Sequence, residues 1–215
     1  MAGSRLASIY SRFLEAKFEV EDIGTLHLSV RLPVLKHGTD QGTPIHKEVY
    51  AEYDKDKSEL KDSYRDLQRE WVAELRNSYG IEHWAVQRFP SLRVHFPANV
   101  SVFEFHRDSD YEHPLGELNH FLSINRSHST ASLHIEEELG WSNYVPLELE
   151  PGQSAIINTS IFKHGDFENN ENYTRVSIDF RAIPVEVLEK LGSKRSITKG
   201  KVFDCNDYFI SSRAI

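Results

Sequence analysis

FEFHRDSDYEH, residues 103–113, contains a His-Arg-Asp triplet that occurs in two different kinds of fold. In a protein kinase the triplet opens the catalytic loop, and its Asp accepts a proton from the substrate hydroxyl. On a β-strand, His106 and Asp108 are two residues apart and point to the same face, so both can bind one divalent metal. The remainder of the chain decides between these two interpretations.

The kinase interpretation fails on its companion motifs. A kinase requires a Gly-rich loop, a strand lysine paired with a helix glutamate, and a downstream Asp-Phe-Gly. The 215-residue sequence contains none of these motifs and is short for that fold. The metal interpretation therefore stays.

Composition restricts the class of protein and its partners. A hydrophobic content of 39% suits one folded domain, and the net charge of −8 predicts no nucleic-acid surface. No stretch approaches the roughly 18 apolar residues of a membrane span. The single Cys205 cannot form an internal disulfide, which predicts a reducing, cytoplasmic location. The N-terminus weakly resembles a transit peptide, but an amphipathic first helix is the preferred interpretation.

Hydrophobic periodicity divides the chain near residue 95. Apolar residues at helical spacing predict helices over 5–17 and 46–79, with Gly80 ending the second, and residues 26–35 are predicted to form a strand. Later in the chain, short strands broken by turn residues are predicted at 91–96, 101–106, 118–124, 132–137, 144–149, 154–159, 161–165 and 174–181.

Many short strands at regular spacing predict a sandwich or a barrel. We therefore expect an all-β core with N-terminal helices. A helix-rich part, residues 1–85, is predicted to pack on the β core of residues 86–185. Residues 186–215 are predicted to be a C-terminal tail of the same domain.

Two further motifs complete a metal-site pattern in the β-rich part. His164 lies at a predicted strand end beside a turn, 58 residues after His106, and two histidines with one carboxylate can hold a metal and leave the opposite positions open. Arg175 and Ser177 share a strand face, and an inward arginine beside a hydroxyl suits a carboxylate such as that of 2-oxoglutarate. The other candidates for the second histidine are His113, His120, His128 and His134.

With these motifs in place, residues 85–183 resemble the iron(II)/2-oxoglutarate-dependent oxygenases, and within them the small StrG-type group of hydroxylases. The resembling stretches are RFPSLRVHFP (88–97), FHRDSDYEHPLGELN (105–119), TASLHIEEELG (130–140) and LEPGQSAIINTSIFKHGDFENNENYTRVSIDFR (149–181). The resemblance implies a double-stranded β-helix, or jelly roll, as the core fold.

The resemblance also implies roles for individual residues. His106, Asp108 and His164 match the Fe(II) ligands, while Arg175 and Ser177 match the groups that hold the C5 carboxylate of 2-oxoglutarate. Asn119 is a candidate cosubstrate contact on an inward strand face. Four further side chains are candidate substrate contacts: Glu136, His134, Tyr111 and His113. Asp179 and Arg181 are interpreted as a structural ion pair, and His120 as a core or surface residue.

The resulting hypothesis is an Fe(II)/2-oxoglutarate-dependent dioxygenase. It would hydroxylate an unactivated C–H bond of a small polar metabolite, such as an amino sugar or an amino acid derivative, and use O2 while 2-oxoglutarate becomes succinate. Two alternatives stay open: an oxygenase that acts on a protein side chain, and a metal-dependent jelly-roll protein that does not use 2-oxoglutarate. We expect no nucleic-acid and no membrane partner, and the sequence predicts no oligomeric state.

Overall fold

The computed structural model describes residues 1–33, 42–102, 104–192, 194–195 and 200–215. Its α-helices are α1 (Ala2–Phe18), α2 (Leu26–Ser29), α3 (Pro44–Asp54), α4 (Glu59–Tyr79) and α5 (Val185–Leu191). Its strands are β1 (Trp84–Gln87), β2 (Ser91–His95), β3 (Leu118–Ser123), β4 (Leu133–Glu136), β5 (Tyr144–Leu147), β6 (Ser154–Ile157), β7 (His164–Gly165), β8 (Arg175–Pro184) and β9 (Phe209–Ser211). Within this part of the chain, no helix has both the length and the apolar character that crossing a membrane requires.

Two antiparallel sheets pack against each other. The larger sheet has the order β6-β3-β8-β1-β9, with β2 also paired to β8, and the smaller sheet has the order β5-β4-β7. A bridge between His106 and His164 adds a fourth position to the smaller sheet. From β2 to β8 the chain passes repeatedly from one sheet to the other, and the β4–β5 hairpin is the exception. This is the path of a double-stranded β-helix, so the predicted jelly roll is confirmed.

β8 is the centre of the larger sheet and has two different faces. One edge pairs with β2 and then with β1, while the other edge pairs with β3 along six residues. The outer face joins the apolar core shared with the helices, through Val176, Ile178, Phe180 and Ala182. Because side chains alternate along a strand, the opposite face turns to the space between the sheets and carries Arg175, Ser177, Asp179 and Arg181.

The helices cover the outer face of the larger sheet. Ser58 caps the start of α4 by accepting a hydrogen bond from the Lys61 N–H, and Gly80 ends it in the left-handed conformation, with φ 66°. The predicted stop at Gly80 is thus confirmed. Trp71 of α4 meets the Phe180 ring edge to face at 5.0 Å between centroids. The amphipathic helix is therefore fixed against the central strand.

His120 belongs to this core rather than to the cavity between the sheets. Its ring stacks on Phe180 at 4.8 Å and meets Trp71, and neither ring nitrogen has a hydrogen-bond partner within the described residues. Burial lowers the pKa of His120 to about 4. The folded protein therefore resists protonation of a group that titrates normally in the unfolded chain.

We expect this histidine to make the fold sensitive to acid. The pKa of His120 in the folded protein lies below the unfolded value of 6.5. The contribution of neutral His120 to the free energy of unfolding is therefore fully present at neutral pH, and it is lost as the pH falls from about 6.5 to 4. The change in pKa corresponds to about 3 kcal/mol of unfolding free energy. Urea unfolding at pH 7 and pH 4, compared between wild type and His120→Phe, measures it. An equal pH dependence in both proteins would contradict the prediction.

Two predicted elements before residue 80 differ from the structure. The predicted strand 26–35 begins as the helix α2, because the Asp22 carboxylate accepts the Gly24 N–H and starts a 3-10 turn that runs into it; residues 34 and 35 lie outside the described residues. The predicted helix 46–79 is two helices, since the Ser58 cap begins α4 separately from α3.

Three further differences concern strands. The predicted strand 101–106 is not regular in its described residues and contributes the bridge at His106. Sequence periodicity missed β1, which crosses the predicted boundary at residue 85, and β9, which lies in the predicted tail. Both pair within the larger sheet, β9 against β1. The division into residues 1–85, 86–185 and 186–215 stays a prediction.

Candidate metal centre

Three predicted ligands meet at the mouth of the space between the sheets. His106 and His164 exchange two backbone hydrogen bonds, of 3.0 and 2.9 Å, which places their rings 4.6 Å apart. Asp108 follows His106 at the start of a 3-10 helix, not on a strand as predicted. Its Oδ1 lies 3.9 Å from Nε2 of His106 and 3.7 Å from Nε2 of His164. These three side chains form a group that could hold a metal ion.

Hydrogen bonds fix which nitrogen of each histidine is available. Nδ1 of His106 lies 2.8 Å from the Glu104 carbonyl oxygen, and Nδ1 of His164 lies 3.4 Å from that of Phe162. Since a carbonyl only accepts, each Nδ1 carries the hydrogen, and each Nε2 keeps a lone pair directed at Asp108. Donor type and direction both fit a divalent metal such as iron.

The charge states at neutral pH also suit metal binding. Burial lowers the pKa of His164 to about 4, and the neighbouring His106 and Arg181 act in the same direction against Asp108. Burial would raise the pKa of Asp108, but the Arg181 guanidinium and the nearby histidines hold it well below its usual range. His164 is therefore neutral and Asp108 ionised, which are the forms that bind a metal.

A second group of potential ligands comprises Asp108, His113 and Glu117. Arg181 already occupies it: the guanidinium lies 2.9 Å from Asp108 and 3.0 Å from Glu117. His113 donates a hydrogen bond from Nδ1 to the Glu117 carboxylate at 2.8 Å. A cation is thus present in this second group without a metal, and Asp108 is shared between the two groups.

The interior of the barrel continues from the ligands to Arg175. A narrow cavity of about 20 Å³ is lined by residues of both sheets, among them His106, His164, Asn119 and Arg175. Asn119 Oδ1 and Arg175 Nε are buried without a hydrogen-bond partner in the described part of the chain. One donor and one acceptor near the ligands suit a polar cosubstrate.

Arg175 has a partner that the sequence did not predict. Its Nη1 donates to the Ser177 hydroxyl at 2.9 Å, so the predicted pair is brought together. Its Nη2 lies 3.0 Å from the Asp166 carboxylate and donates to the Ser101 hydroxyl at 3.0 Å. Ser101 also bonds to Asp166. The arginine is fully buried and neutralised by the chain's own acid.

His134 and Glu136 do not line the cavity, contrary to the prediction. Ile135 pairs with His164 on β7, and Leu133 and Ile135 pack in the interior with Phe121. By alternation, His134 and Glu136 face outward. Their polarity suggested the opposite face, but the apolar residues between them decide the orientation.

Glu136 instead ties down the loop that follows β4. Its Oε1 accepts the Gly140 N–H at 2.9 Å, and its Oε2 accepts the Lys163 N–H at 3.2 Å. Burial raises its pKa, but the N–H groups of Lys163, Gly140 and Ser142, together with the Arg107 charge, hold it below its usual range. The carboxylate is thus an anchor for residues 137–143.

We expect Glu136→Gln to loosen this loop without weakening metal binding, because the amide group replaces an acceptor oxygen with a donor. Hydrogen exchange of residues 137–143 should accelerate, while metal affinity stays at the wild-type value. Glu138→Gln, which changes an exposed carboxylate of the same loop, is the matched control. If Glu136→Gln instead lost substrate binding while the hydrogen exchange of the loop stayed unchanged, Glu136 would be a substrate contact, as the sequence predicted.

The other two candidate substrate contacts lie on opposite sides of Asp108. The Tyr111 ring meets His106 edge to face at 5.0 Å, so it borders the metal ligands. His113 turns away and packs against Phe203 at 4.5 Å. Of these two residues, Tyr111 is the one placed to meet a substrate.

A larger cavity, of about 250 Å³, lies between α3 and the C-terminal segment. Three of its charged side chains are already engaged: Lys201 pairs with Asp207 at 2.8 Å, and Arg88 donates to backbone carbonyls of residues 206 and 207. We therefore place the candidate site at the smaller cavity, where the ligand atoms converge.

Sequence reasoning missed Asp166 and Thr159 and understated Arg181. Asp166 follows His164 by two residues, the same spacing as His106 and Asp108, and this spacing was a signal for a second inward carboxylate. Arg181 does pair with Asp179, at 3.0 Å, as interpreted, but it also contacts Asp108. Thr159 had no sequence signal, because its contact with Asp108 spans 51 residues.

The comparisons with known proteins begin with sequence. The chain is 30% identical over 189 residues to the streptomycin biosynthesis protein StrG of Streptomyces griseus, which covers 88% of this chain and 85% of that protein. No family model matches the chain.

Solved structures resemble this fold at low sequence identity. AviO1 from Streptomyces viridochromogenes Tue57 is 14% identical with a TM-score of 0.49, covering 85% of this chain and 84% of that chain. A Pseudomonas putida prolyl-4-hydroxylase is 13% identical with a TM-score of 0.44, covering 60% and 68%. The nickel complex of the non-haem monooxygenase ThoJ is 10% identical with a TM-score of 0.44, covering 85% and 69%. These similarities are too distant to bear on function.

Proposed function

Because the chain belongs to the family of the streptomycin biosynthesis protein StrG, we propose that it is an iron(II)/2-oxoglutarate-dependent oxygenase. The observation that carries this proposal is the convergence of Nε2 of His106, Oδ1 of Asp108 and Nε2 of His164 at the mouth of a buried polar cavity. When bound, Fe(II) with 2-oxoglutarate and O2 supplies the oxidation of a C–H bond, coupled to decarboxylation of 2-oxoglutarate to succinate.

The protein's own residues would bind and orient the reactants. His106, Asp108 and His164 would hold the metal on one side, so that the opposite side stays open. Arg175 and Ser177 would hold the far carboxylate of 2-oxoglutarate within the barrel, and Asn119 would contact its middle. Arg175 is fully buried at this end of the cavity.

For the substrate we propose a small polar molecule that enters at the metal. The acidic chain, with a net charge of −8, favours a cationic or hydroxylated metabolite over a nucleic acid or a membrane surface. Glu136 no longer contributes to this choice, since it faces away from the cavity. Ile135, paired with His164, offers an apolar surface for the C–H face of the molecule. The same composition and the single cysteine support a cytoplasmic location.

The pairing of Arg175 with Asp166 favours one alternative function. An arginine whose charge is already balanced at 3.0 Å attracts a second carboxylate less strongly than a free one would. The alternative is therefore a metal-dependent jelly-roll enzyme that does not use 2-oxoglutarate. It shares the three metal ligands and differs in the role of Arg175.

One titration separates the two functions. Metal-free protein is titrated without oxygen, first with Fe(II) and then with 2-oxoglutarate, and the visible spectrum is recorded. A weak charge-transfer band that requires both additions supports the proposed oxygenase. Bound iron without that band contradicts the use of 2-oxoglutarate and supports the alternative. Folded protein that binds no iron contradicts both.

A further inference from the structure

We propose that Arg181 and Thr159 are positioning residues, which hold Asp108 so that one oxygen atom alone faces the metal. The inference rests on the metal-binding part of the proposed function, and it concerns two residues outside the ligand group. It begins with the separate surroundings of the two oxygen atoms of Asp108.

The two oxygen atoms have different partners. Oδ1 faces the histidine nitrogens at 3.7 and 3.9 Å. Oδ2 accepts the Thr159 hydroxyl at 2.6 Å and lies 2.9 and 3.0 Å from two nitrogens of Arg181. Three donors on Oδ2 use its lone pairs, so Asp108 can ligate through Oδ1 but not through both atoms.

The backbone makes this arrangement rigid. The Asp108 N–H donates to the Thr159 carbonyl oxygen at 2.8 Å, so main chain and side chain of Thr159 both hold the aspartate. Thr159 itself is buried, at 1% exposure, in the turn between β6 and β7. The turn that leads to His164 therefore also sets the orientation of Asp108.

Arg181 is held in its own place by three carboxylates. Besides Asp108, it lies 3.0 Å from Glu117 and 3.0 Å from Asp179. The side chain is 5% exposed, so the guanidinium cannot leave without exposing three buried charges to one another. The planar guanidinium of Arg181 is therefore fixed in place, and its N–H groups point at Oδ2 of Asp108.

Positioning and simple charge make opposite predictions for metal affinity. A positive charge next to a divalent cation repels it, so removal of that charge alone would strengthen metal binding. If Arg181 acts by orienting Asp108, its replacement weakens metal binding instead. Thr159 is neutral, and its hydroxyl affects affinity through orientation alone.

The test is a Co²⁺ titration of the full chain after chelator treatment, followed by the visible d–d absorption. The variants are Thr159→Val, Arg181→Lys and Arg181→Gln, and Ser160→Ala is the control. Ser160 is the neighbour of Thr159 and donates its hydroxyl to Asn158 at 2.8 Å, away from Asp108. Circular dichroism and thermal unfolding of each metal-free variant identify any that fail to fold.

We expect Thr159→Val and Arg181→Lys to weaken Co²⁺ binding about 10- to 100-fold, as for other partners of metal ligands. The absorption band should change as well, because Oδ2 of Asp108 loses part of its support and the carboxylate can turn relative to the metal. Arg181→Gln should weaken binding too, and Ser160→Ala should match wild type. If an arginine variant does not fold, Thr159→Val decides.

Three results would overturn the inference. Wild-type affinity and spectrum in Thr159→Val would show that the hydroxyl does not orient the ligand, and the metal centre itself would stand. Tighter Co²⁺ binding in Arg181→Gln would show that Arg181 affects the metal through its charge and does not orient Asp108. Failure of the wild type to bind Co²⁺ would remove the metal-binding part of the proposed function as well.

Discussion

Asp108→Ala should abolish metal-dependent turnover and weaken divalent-metal binding by more than about 100-fold, since loss of a ligand exceeds the loss of a ligand's partner. The substitution removes the one anionic ligand of the group. Arg181 keeps Glu117 and Asp179 as counter-ions at 3.0 Å, so we expect the fold to survive. Metal titration and succinate release together measure the effect, and His106→Ala should behave in the same way.

Asp110→Ala is the matched control for this experiment. Asp110 lies in the same 3-10 helix, is exposed, and accepts a hydrogen bond from the Arg107 N–H at 2.9 Å. The substitution Asp110→Ala therefore removes one negative charge near the site without removing a ligand. Turnover retained in Asp108→Ala, or lost equally in the control, would refute the ligand assignment.

Arg175→Ala should destabilise the fold by about 3–5 kcal/mol, the usual effect of leaving a buried charge unpaired. Asp166 is 3% exposed. Burial raises the pKa of this carboxyl, but Arg175, together with the smaller effects of His95, Ser101 and Arg93, holds it below its usual range. Without the arginine, the largest of these opposing effects is lost, so we expect burial to raise that pKa above its usual value. The destabilisation should therefore grow as the pH rises through the raised pKa, the opposite sign to wild type. Urea unfolding at several pH values measures it.

The double variant Arg175→Met, Asp166→Asn separates structure from cosubstrate binding. It removes both charges, so most of the lost stability should return. If Arg175 also binds 2-oxoglutarate, the double variant should still show a raised apparent KM for 2-oxoglutarate despite its recovered stability. Recovered stability with a normal KM would assign Arg175 to structure alone. Arg175→Lys keeps the positive charge and removes the guanidinium group, so it separates the effect of charge from that of the hydrogen-bond geometry.

Local patterns were enough for most of the barrel and for its ligands. The strands β2 and β8 alternate polar and apolar residues, and the spacing of His106 and Asp108 is itself the motif. The short strand β9 lacks such a pattern and forms because β1 offers an open edge. The strand predicted at α2 was wrong for a related reason. Its alternating polar and apolar residues are compatible with a strand or a helix, and the Asp22 cap decides for the helix.

The interior charges were less accessible to sequence reasoning. A buried acid and its arginine can be distant in the chain, as Asp108 and Arg181 are at 73 residues, and no local pattern records such a pair. Glu136 and His134 were misplaced because polarity was taken as a sign of the cavity. The interior of this barrel accepts Leu133 and Ile135 instead, so the face of β4 follows its apolar residues.

The position of β8 has a consequence for synthesis of the protein. β1, β2 and β3 all pair with this strand, yet it starts only at Arg175, late in the chain. On the ribosome, the earlier strands emerge without their common neighbour, and their edges stay open until translation reaches the end of β8. The helices α1 and α4 can form first, from local contacts. Closure of the barrel, and with it the assembly of the candidate metal ligands, therefore has to wait for the synthesis of β8.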